Sequence, residues 1–323
     1  MPRNARPETR SHSLSPKGES SAKIGTIAFR ANFALHNRAK MFNATEILIQ
    51  SFVDRLRDGY QHTYGGYKPD YADIIAWAGS MALENIANSD ALYHNIEHTI
   101  LVTLVGQEIL RGKHIREGGV SCEDWLHFII SLVCNDIGYI KGVCRRDRLE
   151  ENQFDSGKGN LVTLSMGATD ASLAPYHVDR SKLFVDERFS GHKLIVAEKI
   201  KQNIEQTRYP FSLQEGYEST SSYPGLLRAA DLIGPLSDPR YLKKMGALFY
   251  EYQETGETEG WGYRHPGELR QNYSQVYWDK IHPIVKDALQ YLSLTQQGKQ
   301  ITANLYANIF AIEHQEETAM APS

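Results

Sequence analysis

The sequence predicts an all-α protein, a multi-helix bundle long enough to bury a sizeable core as one large or two modest domains. Apolar residues recur at three- and four-residue spacing through most of the 323-residue chain, which is the spacing of one helix face. No convincing run alternates between apolar and polar residues as half-buried strands do, and no segment repeats. Hydrophobic residues make up 41% and charged residues 23% of the chain, a composition typical of a globular protein.

Composition and spacing divide the chain into four segments. Residues 1–23 are rich in Ser, Pro and basic residues and are predicted to be a disordered tail, because they have no apolar face to bury. Residues 24–69 are predicted to be an N-terminal helical segment and residues 70–312 the main helical domain. Residues 313–323 are predicted to be a disordered C-terminus.

The individual helices follow from apolar spacing and from the residues that interrupt it. Two helices are predicted on either side of a Gly-containing turn at residues 63–67. The next helix is expected to end near Gly112, and another to start with Asp124 as its cap and to run into Asn135-Asp136 and Gly138. The charged residues 144–160 are predicted to form a surface loop or insertion. Helical spacing returns at residues 194–204, 226–233 and about 269–310.

Charge and cysteine content limit the classes of partner. The net charge of −4 is too small to indicate a nucleic-acid or membrane partner. The three cysteines have no CxxC spacing, and their odd number argues against a disulfide framework. No apolar run approaches the roughly 18 residues of a membrane-spanning helix. The N-terminus lacks the apolar core of a signal peptide, so we expect a reducing, cytoplasmic setting.

A histidine pair followed by two separate acidic residues is the most informative motif. His94 and His98 are four residues apart, which is about one turn of a helix. Asp136 ends an apolar helix, and Asp231 lies inside a later apolar stretch. Because a buried carboxylate is costly unless it is paired or bound to a metal, the set predicts a metal site between helices. Phosphate chemistry is the leading use of such a site, since a divalent metal can activate water for attack on phosphorus.

Simpler interpretations of the same residues stay open at this point. Asp136 and Asp231 could be helix caps or ion-pair partners of Arg228 or Lys141. His94 could be a helix-start histidine that hydrogen-bonds the backbone. Beside a metal, however, His94 is suited to protonate a leaving oxygen when its pKa lies near the working pH.

The order of these motifs resembles that of the HD-domain metal-dependent phosphohydrolases. It consists of Tyr-His-Asn-x-x-His at residues 93–98, then Asp136, then Ala-Asp-Leu at residues 230–232. Within that group it is most similar to the catalytic domain of the class I 3′,5′-cyclic-nucleotide phosphodiesterases. Residues 178–183 and 273–283 are similar to two further stretches of that family. The resemblance implies a helical HD or phosphodiesterase-type bundle that hydrolyses a nucleotide phosphoester.

The resemblance also implies roles for individual residues around the metal. His94 is expected to be the general acid that protonates the departing 3′ oxygen. His98, Asp136 and Asp231 are expected to hold the first metal ion, and Asp136 to reach a second. Asn135 stands where the family has a histidine, and its carbonyl oxygen can still coordinate. Since an oxygen ligand is harder than an imidazole, Mg or Mn is favoured, with Zn or Fe as alternatives.

The substrate implied by the resemblance is a small-molecule nucleotide. Gln275 is expected to hydrogen-bond the nucleobase, because an amide side chain both donates and accepts. Trp278 is expected to stack on the base, and Tyr93 is assigned to the same substrate site. Gln275 and Trp278 can equally be an ordinary helix surface and core pair.

Three departures from the family pattern leave the activity open. Besides Asn135, Tyr139 stands near the position of another family histidine, and Asp186 and Glu187 stand where the family has a His-His pair. The site can therefore be an active hydrolase tuned to a harder metal. It can also be a catalytically degenerate nucleotide sensor or partner-binding module. A third alternative is an HD-type nucleotidase that acts on monoesters.

Overall fold

The computed structural model describes residues 43–208 and 219–320, with side chains described up to residue 314. The chain divides into two compact units, residues 1–44 and residues 45–323. Only Asn43 and Ala44 of the first unit are described, so the tail predicted for residues 1–23 lies outside the described residues.

The described chain is mostly helical, which confirms the predicted all-α class. The first four helices are α1 (Ala44–Tyr64), α2 (Asp70–Ile86), α3 (Ile96–Glu117) and α4 (Cys122–Cys134). The next four are α5 (His177–Phe189), α6 (Ala197–Glu205), α7 (Tyr223–Leu236) and α8 (Tyr241–Glu254). The last five are α9 (Glu257–Trp261), α10 (Pro266–Gln271), α11 (Tyr273–Val276), α12 (His282–Leu292) and α13 (Gln296–Met320). Short 3-10 turns lie at Ile137–Tyr139, Leu149–Glu151 and Asp170–Tyr176, and a π-helical turn lies at Tyr277–Ile281.

Helix α3 lies at the centre of the bundle and packs against α4, α7, α12 and α13. Helix α1 adds Phe52, Leu56 and Tyr60 to the same hydrophobic core. The described parts of the segments predicted at residues 24–69 and 70–312 therefore share one core. Burial of these apolar side chains is the main force that holds the helices together. None of the described helices is both long enough and apolar enough to cross a membrane.

Helix α3 is longer than the sequence predicts, so the expected end near Gly112 is wrong. The helix continues to Glu117 and is followed by Gly118 in the left-handed conformation. Gly112 lies where α12 crosses α3, and a Cβ atom there would be 2.1 Å from the carbonyl oxygen of Tyr291. The glycine at this position permits close packing of two helices and does not end one.

The start of α4 also differs in detail from the prediction. Ser121, and not Asp124, is the N-cap, and its hydroxyl accepts the backbone N–H of Asp124. The Asp124 carboxylate accepts the backbone N–H of Ser121 in return, which completes a capping box. Asn135 follows the last residue of α4, as predicted.

The segment predicted as a surface loop at residues 144–160 contains an anchored hairpin. Strands β1 (Gln153–Asp155) and β2 (Leu161–Thr163) pair antiparallel. Beneath them, the fully buried Asp147 carboxylate lies 2.9 Å from the guanidinium of Arg180. The same carboxylate accepts the backbone N–H groups of Gly142 and Asp155. Because a buried ion pair needs such additional hydrogen bonds, the segment is fixed to the core and is not a loose loop.

Two helical regions extend beyond the prediction. Helix α8 buries Tyr241, Met245, Leu248 and Phe249 at helical spacing, a pattern that the sequence analysis did not recognise. Helix α13 runs to Met320, so residues 313–320 are helical where the sequence predicts a disordered C-terminus. Burial of Ile309 and Ile312 against the core carries this helix past residue 312.

Candidate metal centre

The first turn of α3 fixes the position of His98. Asn95 is the N-cap, and its side-chain oxygen accepts the backbone N–H groups of Glu97 and His98 at 3.0 and 3.3 Å. This cap satisfies backbone donors that a helix start otherwise leaves without partners. The imidazole of His98 is buried, with 6% of its surface exposed.

A close helix crossing brings Asp231 opposite His98. A Cβ atom at Gly234 of α7 would lie 2.8 Å from the backbone of Val102 of α3, so only glycine permits this approach. His98 lies one turn before Val102 on α3, and Asp231 lies one turn before Gly234 on α7. The Nε2 atom of His98 is therefore 3.4 Å from an Asp231 carboxylate oxygen.

The turn after α4 supplies the third group. Asp136 follows Asn135 in this turn, and Gly138 packs so closely on α5 that a Cβ atom would be 2.0 Å from the His177 carbonyl oxygen. The Ser181 hydroxyl accepts the backbone N–H of Gly138 and donates to the backbone carbonyl of Asn135. Helix α5 thus holds the turn rigidly. Cys134, just before it, is a fully buried free thiol.

The three predicted acidic and imidazole ligands converge in the structure. One ligand atom each from His98, Asp136 and Asp231 lies within 4.8 Å of the others, which makes this a group that could hold a metal ion. The closest pair is His98 Nε2 and Asp136 Oδ2, at 3.0 Å. These two atoms and the amide oxygen of Asn135 are buried and make no hydrogen bond. Since buried polar atoms without partners are costly, the donor set fits a cation better than a packing role.

The electrostatics of the group favour a positive charge at its centre. Burial lowers the pKa of His98, but the carboxylates of Asp136 and Asp231 beside its ring outweigh this effect and raise the pKa to about 10. Burial raises the pKa of Asp136, but His98 outweighs it and the pKa falls to about 2. Either a proton on His98 or a divalent cation can supply the charge that the two carboxylates require, and binding a cation displaces that proton.

Asn135 lies beside these three groups and is fully buried. Its amide nitrogen donates to the carboxylate of Asp231 at 3.2 Å, which orients Asp231. Its amide oxygen is the atom left without a hydrogen-bond partner. Asn135 therefore positions one ligand and can offer a neutral oxygen of its own.

His94 lies next to the group and is held by a carboxylate that the sequence analysis missed. The Nδ1 atom of His94 is 2.5 Å from one oxygen of Glu251 on α8. The other oxygen accepts the backbone N–H groups of Tyr93 and His94 at 2.6 and 3.1 Å. Burial raises the pKa of Glu251, but His94 lowers it more, so the pKa is below its ordinary value of 4.5. The described side-chain contact of His94 is thus to a carboxylate, unlike the backbone contact of the simpler interpretation.

The His94 ring is the first of three stacked rings, followed by Tyr139 and His177. The Tyr139 ring lies 4.4 Å from the His94 ring and 4.5 Å from the His177 ring on its opposite face. Burial raises the pKa of Tyr139 well above its ordinary value and lowers the pKa of His177. The Tyr139 ring limits rotation of His94, and burial favours a neutral His177.

His177 is the α5 histidine near the group, and the sequence analysis did not single it out. Asp186 and Glu187, which the family alignment pointed to, lie elsewhere on the helix. Asp186 pairs with Lys201 at 2.9 Å, and Glu187 accepts the backbone N–H of Arg145 at 3.1 Å. The available signal was a histidine at the start of the helix that carries Ser181.

The residues assigned to substrate by resemblance fall in two places. The Tyr93 ring lies 5.3 Å from the His98 ring and so borders the metal group. Gln275 is exposed on α11. Trp278 donates its indole N–H to Glu313 of α13 at 2.9 Å and is 43% exposed. The described contacts of Trp278 tie it to α13.

Asp136 is neither a helix cap nor an ion-pair partner of Lys141, the simpler roles that the sequence left open for it. Its side chain makes no capping hydrogen bond at the turn Ile137–Tyr139. Lys141 lies 3.7 Å from Asp170 and 3.8 Å from Asp90, which are its acidic neighbours. The nearest charged partner of Asp136 is His98.

Comparison with protein families places the chain in one of them. The family described as Npun_R2479-like matches residues 42–315, which is most of the chain. The chain belongs to the Npun_R2479-like family. Comparison with curated proteins and with solved structures finds no match. The matched range of this Npun_R2479-like chain includes His94, Glu251 and all the residues of the metal group.

Proposed function

We propose that this protein is a metal-dependent phosphohydrolase whose substrate is a 3′,5′-cyclic nucleotide. The observation that carries the proposal is the convergence of His98, Asp136 and Asp231 beside the paired His94 and Glu251. One imidazole and two carboxylates can hold a divalent ion, with Asn135 nearby as a further oxygen donor. This oxygen-rich set favours Mg or Mn, with Zn or Fe as alternatives. A bound divalent ion lowers the pKa of its water and polarises a phosphoryl oxygen.

The residues around the metal group supply the proton transfer. The His94 and His98 rings are 5.0 Å apart, so a phosphoester held at the group is within reach of His94. Protonated His94 can donate to the leaving oxygen of the phosphoester. Glu251 holds the His94 ring through its contact with Nδ1 and directs the opposite ring nitrogen away from itself. Tyr139 excludes water from one face of the ring.

The choice of a cyclic nucleotide rests on the resemblance of residues 93–98 and 230–232 to the cyclic-nucleotide phosphodiesterases. The metal group by itself suits any phosphoester, because a divalent ion polarises diesters and monoesters alike. Nucleoside monophosphates are therefore part of the test.

The test combines metal content with turnover. Purified protein is soaked with Mn and desalted, and elemental mass spectrometry is expected to find about one equivalent, as three ligands provide for one ion. Asp136→Asn is expected to lose the metal because it removes a charged ligand. Asp170→Asn, which also neutralises a buried carboxylate, is the matched control and is expected to keep it.

Turnover is then measured with cyclic AMP, cyclic GMP, bis(p-nitrophenyl) phosphate and AMP in Mg or Mn. Hydrolysis of the cyclic substrates by the wild type, lost in Asp136→Asn, is the expected result. Hydrolysis of AMP alone would assign the protein to the nucleotidases. Metal content that is equal in the wild type and Asp136→Asn would refute the proposal.

A second candidate is a nucleotide sensor that binds without turnover. The observation that favours it is the hydrogen bond from the Asn135 amide to Asp231. Because a carboxylate oxygen that accepts this bond is a weaker donor to a metal, the ion can be held loosely. Tight binding of a cyclic nucleotide with no product after prolonged incubation would select this candidate.

A further inference from the structure

The contact with Glu251 restrains the His94 ring only in part. The torsion that sets the plane of an imidazole has broad minima, so the atoms around a histidine decide how its ring is oriented. The Glu251 carboxylate meets a single ring atom, Nδ1, at 2.5 Å. A hydrogen bond at one atom tolerates a range of angles, whereas a proton donor must direct its N–H along one line. The plane of the His94 ring therefore needs a second restraint.

The Tyr139 ring supplies that second restraint. It lies 4.4 Å from the His94 ring, and the two planes are only 9° apart. The plane of a tyrosine ring is set by its own torsion as weakly as that of a histidine. The Tyr139 side chain is buried, and no described residue forms a hydrogen bond with its hydroxyl. Its orientation therefore depends on the ring that lies against its other face.

That ring belongs to His177, the first residue of α5. The His177 ring lies 4.5 Å from the Tyr139 ring at an angle of 22°. Unlike Tyr139, His177 has a polar anchor outside the stack, because its Nδ1 donates to the backbone carbonyl of Ala174 at 2.6 Å. Its own backbone carbonyl lies against Gly138, the residue before Tyr139. His177 is thus an anchored end of the stack, and Tyr139 connects it to His94.

We propose that His177 is a positioning residue, which acts through Tyr139 to hold the plane of the His94 ring. The use of that ring in proton transfer rests on the proposed function, whereas the restraint on the ring can be measured without turnover. His177 acts indirectly, since the Tyr139 ring lies between it and His94. The group of described residues that could hold a metal ion does not include His177.

The first measurement is an NMR spectrum of protein labelled with ¹³C at histidine Cε1, with metal chelated and at a single pH. The His94 signal is assigned by its loss in His94→Gln, and the Tyr139 ring is expected to displace this signal upfield. His177→Asn can still donate to Ala174 but has no ring, so the signal is expected to move toward that of an exposed histidine. His177→Phe keeps a ring without nitrogen and is expected to keep the displaced signal.

The second measurement is steady-state kinetics in Mn, with metal content determined beside it. His177→Asn is expected to lower kcat about tenfold, the loss of one aromatic pair, with KM and metal content unchanged. His177→Phe is expected to restore most of kcat. His192→Asn is the matched control, because His192 is another stacked histidine, whose partner is Trp77 of α2. The control is expected to change neither kcat nor the His94 signal.

Each other outcome has a definite meaning. An unchanged His94 signal in His177→Asn, or an equal change in His192→Asn, would overturn the proposal. Loss of kcat in His177→Phe as large as in His177→Asn would make the imidazole nitrogen a proton carrier, and loss of metal would make it a ligand. A wild type without turnover, whose His94 signal moves in His177→Asn and not in His177→Phe, would remove the hydrolase and leave the restraint on the ring standing.

Discussion

Replacement of Glu251 by Gln removes one negative charge from the buried contact with His94 and leaves the side chain nearly the same size. Glu251 is 4% exposed and accepts two backbone N–H groups besides the ring of His94. The glutamine oxygen can still accept the backbone groups, whereas its amide can meet His94 only as a neutral partner. The replacement therefore removes the charge and also turns the group that faces His94 Nδ1 from a hydrogen-bond acceptor into a donor.

The size of the effect follows from this geometry. A hydrogen bond to a charged group contributes about 1.5–3 kcal/mol, so we expect Glu251→Gln to lower the free energy of unfolding by about 2 kcal/mol at neutral pH. Loss of a general acid lowers kcat roughly 10²–10⁴-fold. Because His94 is still present in Glu251→Gln, we expect kcat of this variant to fall by less than about 10²-fold. KM is expected to change little.

The pH dependence has a definite sign. The pKa of Glu251 is lower in the folded protein than its ordinary value of 4.5. Its contribution to stability is therefore complete above pH 4.5 and is lost as the pH falls through the folded-state pKa. The stability difference between the wild type and Glu251→Gln is expected to be constant near neutrality and to shrink in acid.

The assay is urea unfolding with metal chelated, at a series of pH values, beside steady-state kinetics in metal. Glu254→Gln is the matched control, because Glu254 lies on the same helix and accepts hydrogen bonds from Thr169 without touching His94. The control is expected to keep its kcat. A difference between the wild type and Glu251→Gln that grows in acid, or an unchanged kcat, would refute the reasoning.

Other variants test the remaining features. His94→Gln is expected to lower kcat roughly 10²–10⁴-fold with metal content unchanged, measured by kinetics and elemental analysis, and loss of metal would make it a ligand. Gly112→Ala is expected to cost about 3 kcal/mol in urea unfolding, because its Cβ meets the Tyr291 carbonyl. Gly246→Ala, in open space on α8, is expected to stabilise by about 0.5–1 kcal/mol, and equal effects would contradict the packing argument. Asp147→Asn leaves the charge of Arg180 buried and unpaired and is expected to cost about 3–5 kcal/mol, seen as a lower Tm.

The sequence predicted the helical class and the three converging ligands because both depend on local rules. Apolar spacing identifies a helix wherever one face is buried. His98, Asp136 and Asp231 stood out because burial of a charged or polar side chain inside an apolar run is costly unless that side chain has a partner. The roles of the individual residues in catalysis and substrate binding came from the resemblance to the cyclic-nucleotide phosphodiesterases. The reaction and the substrate remain predictions.

What the sequence could not give depends on contacts between distant residues. Glu251 lies 157 positions from His94, and nothing near it in the chain marks it as a partner. Gly112 looked like a helix end because its neighbour on α12 is not visible in the local sequence. His177 was passed over because the family alignment pointed further along α5. Each of these depends on which helix faces which, and apolar spacing alone does not determine that.

Because all the cysteines are buried, we expect thiol reagents to react with the protein only when its structure opens locally. The rate of cysteine labelling therefore measures local opening. All three, Cys122, Cys134 and Cys144, are free and buried. Burial raises the pKa of Cys134 and of Cys144 to about 12, so the reactive thiolate is scarce until the chain opens. Because Cys134 immediately precedes the turn that carries Asp136, its labelling rate measures how often that turn opens. If a divalent ion binds at Asp136, it is expected to slow the labelling of Cys134. The ratio of the labelling rates with and without the ion then measures the strength of ion binding, and no engineered probe is needed.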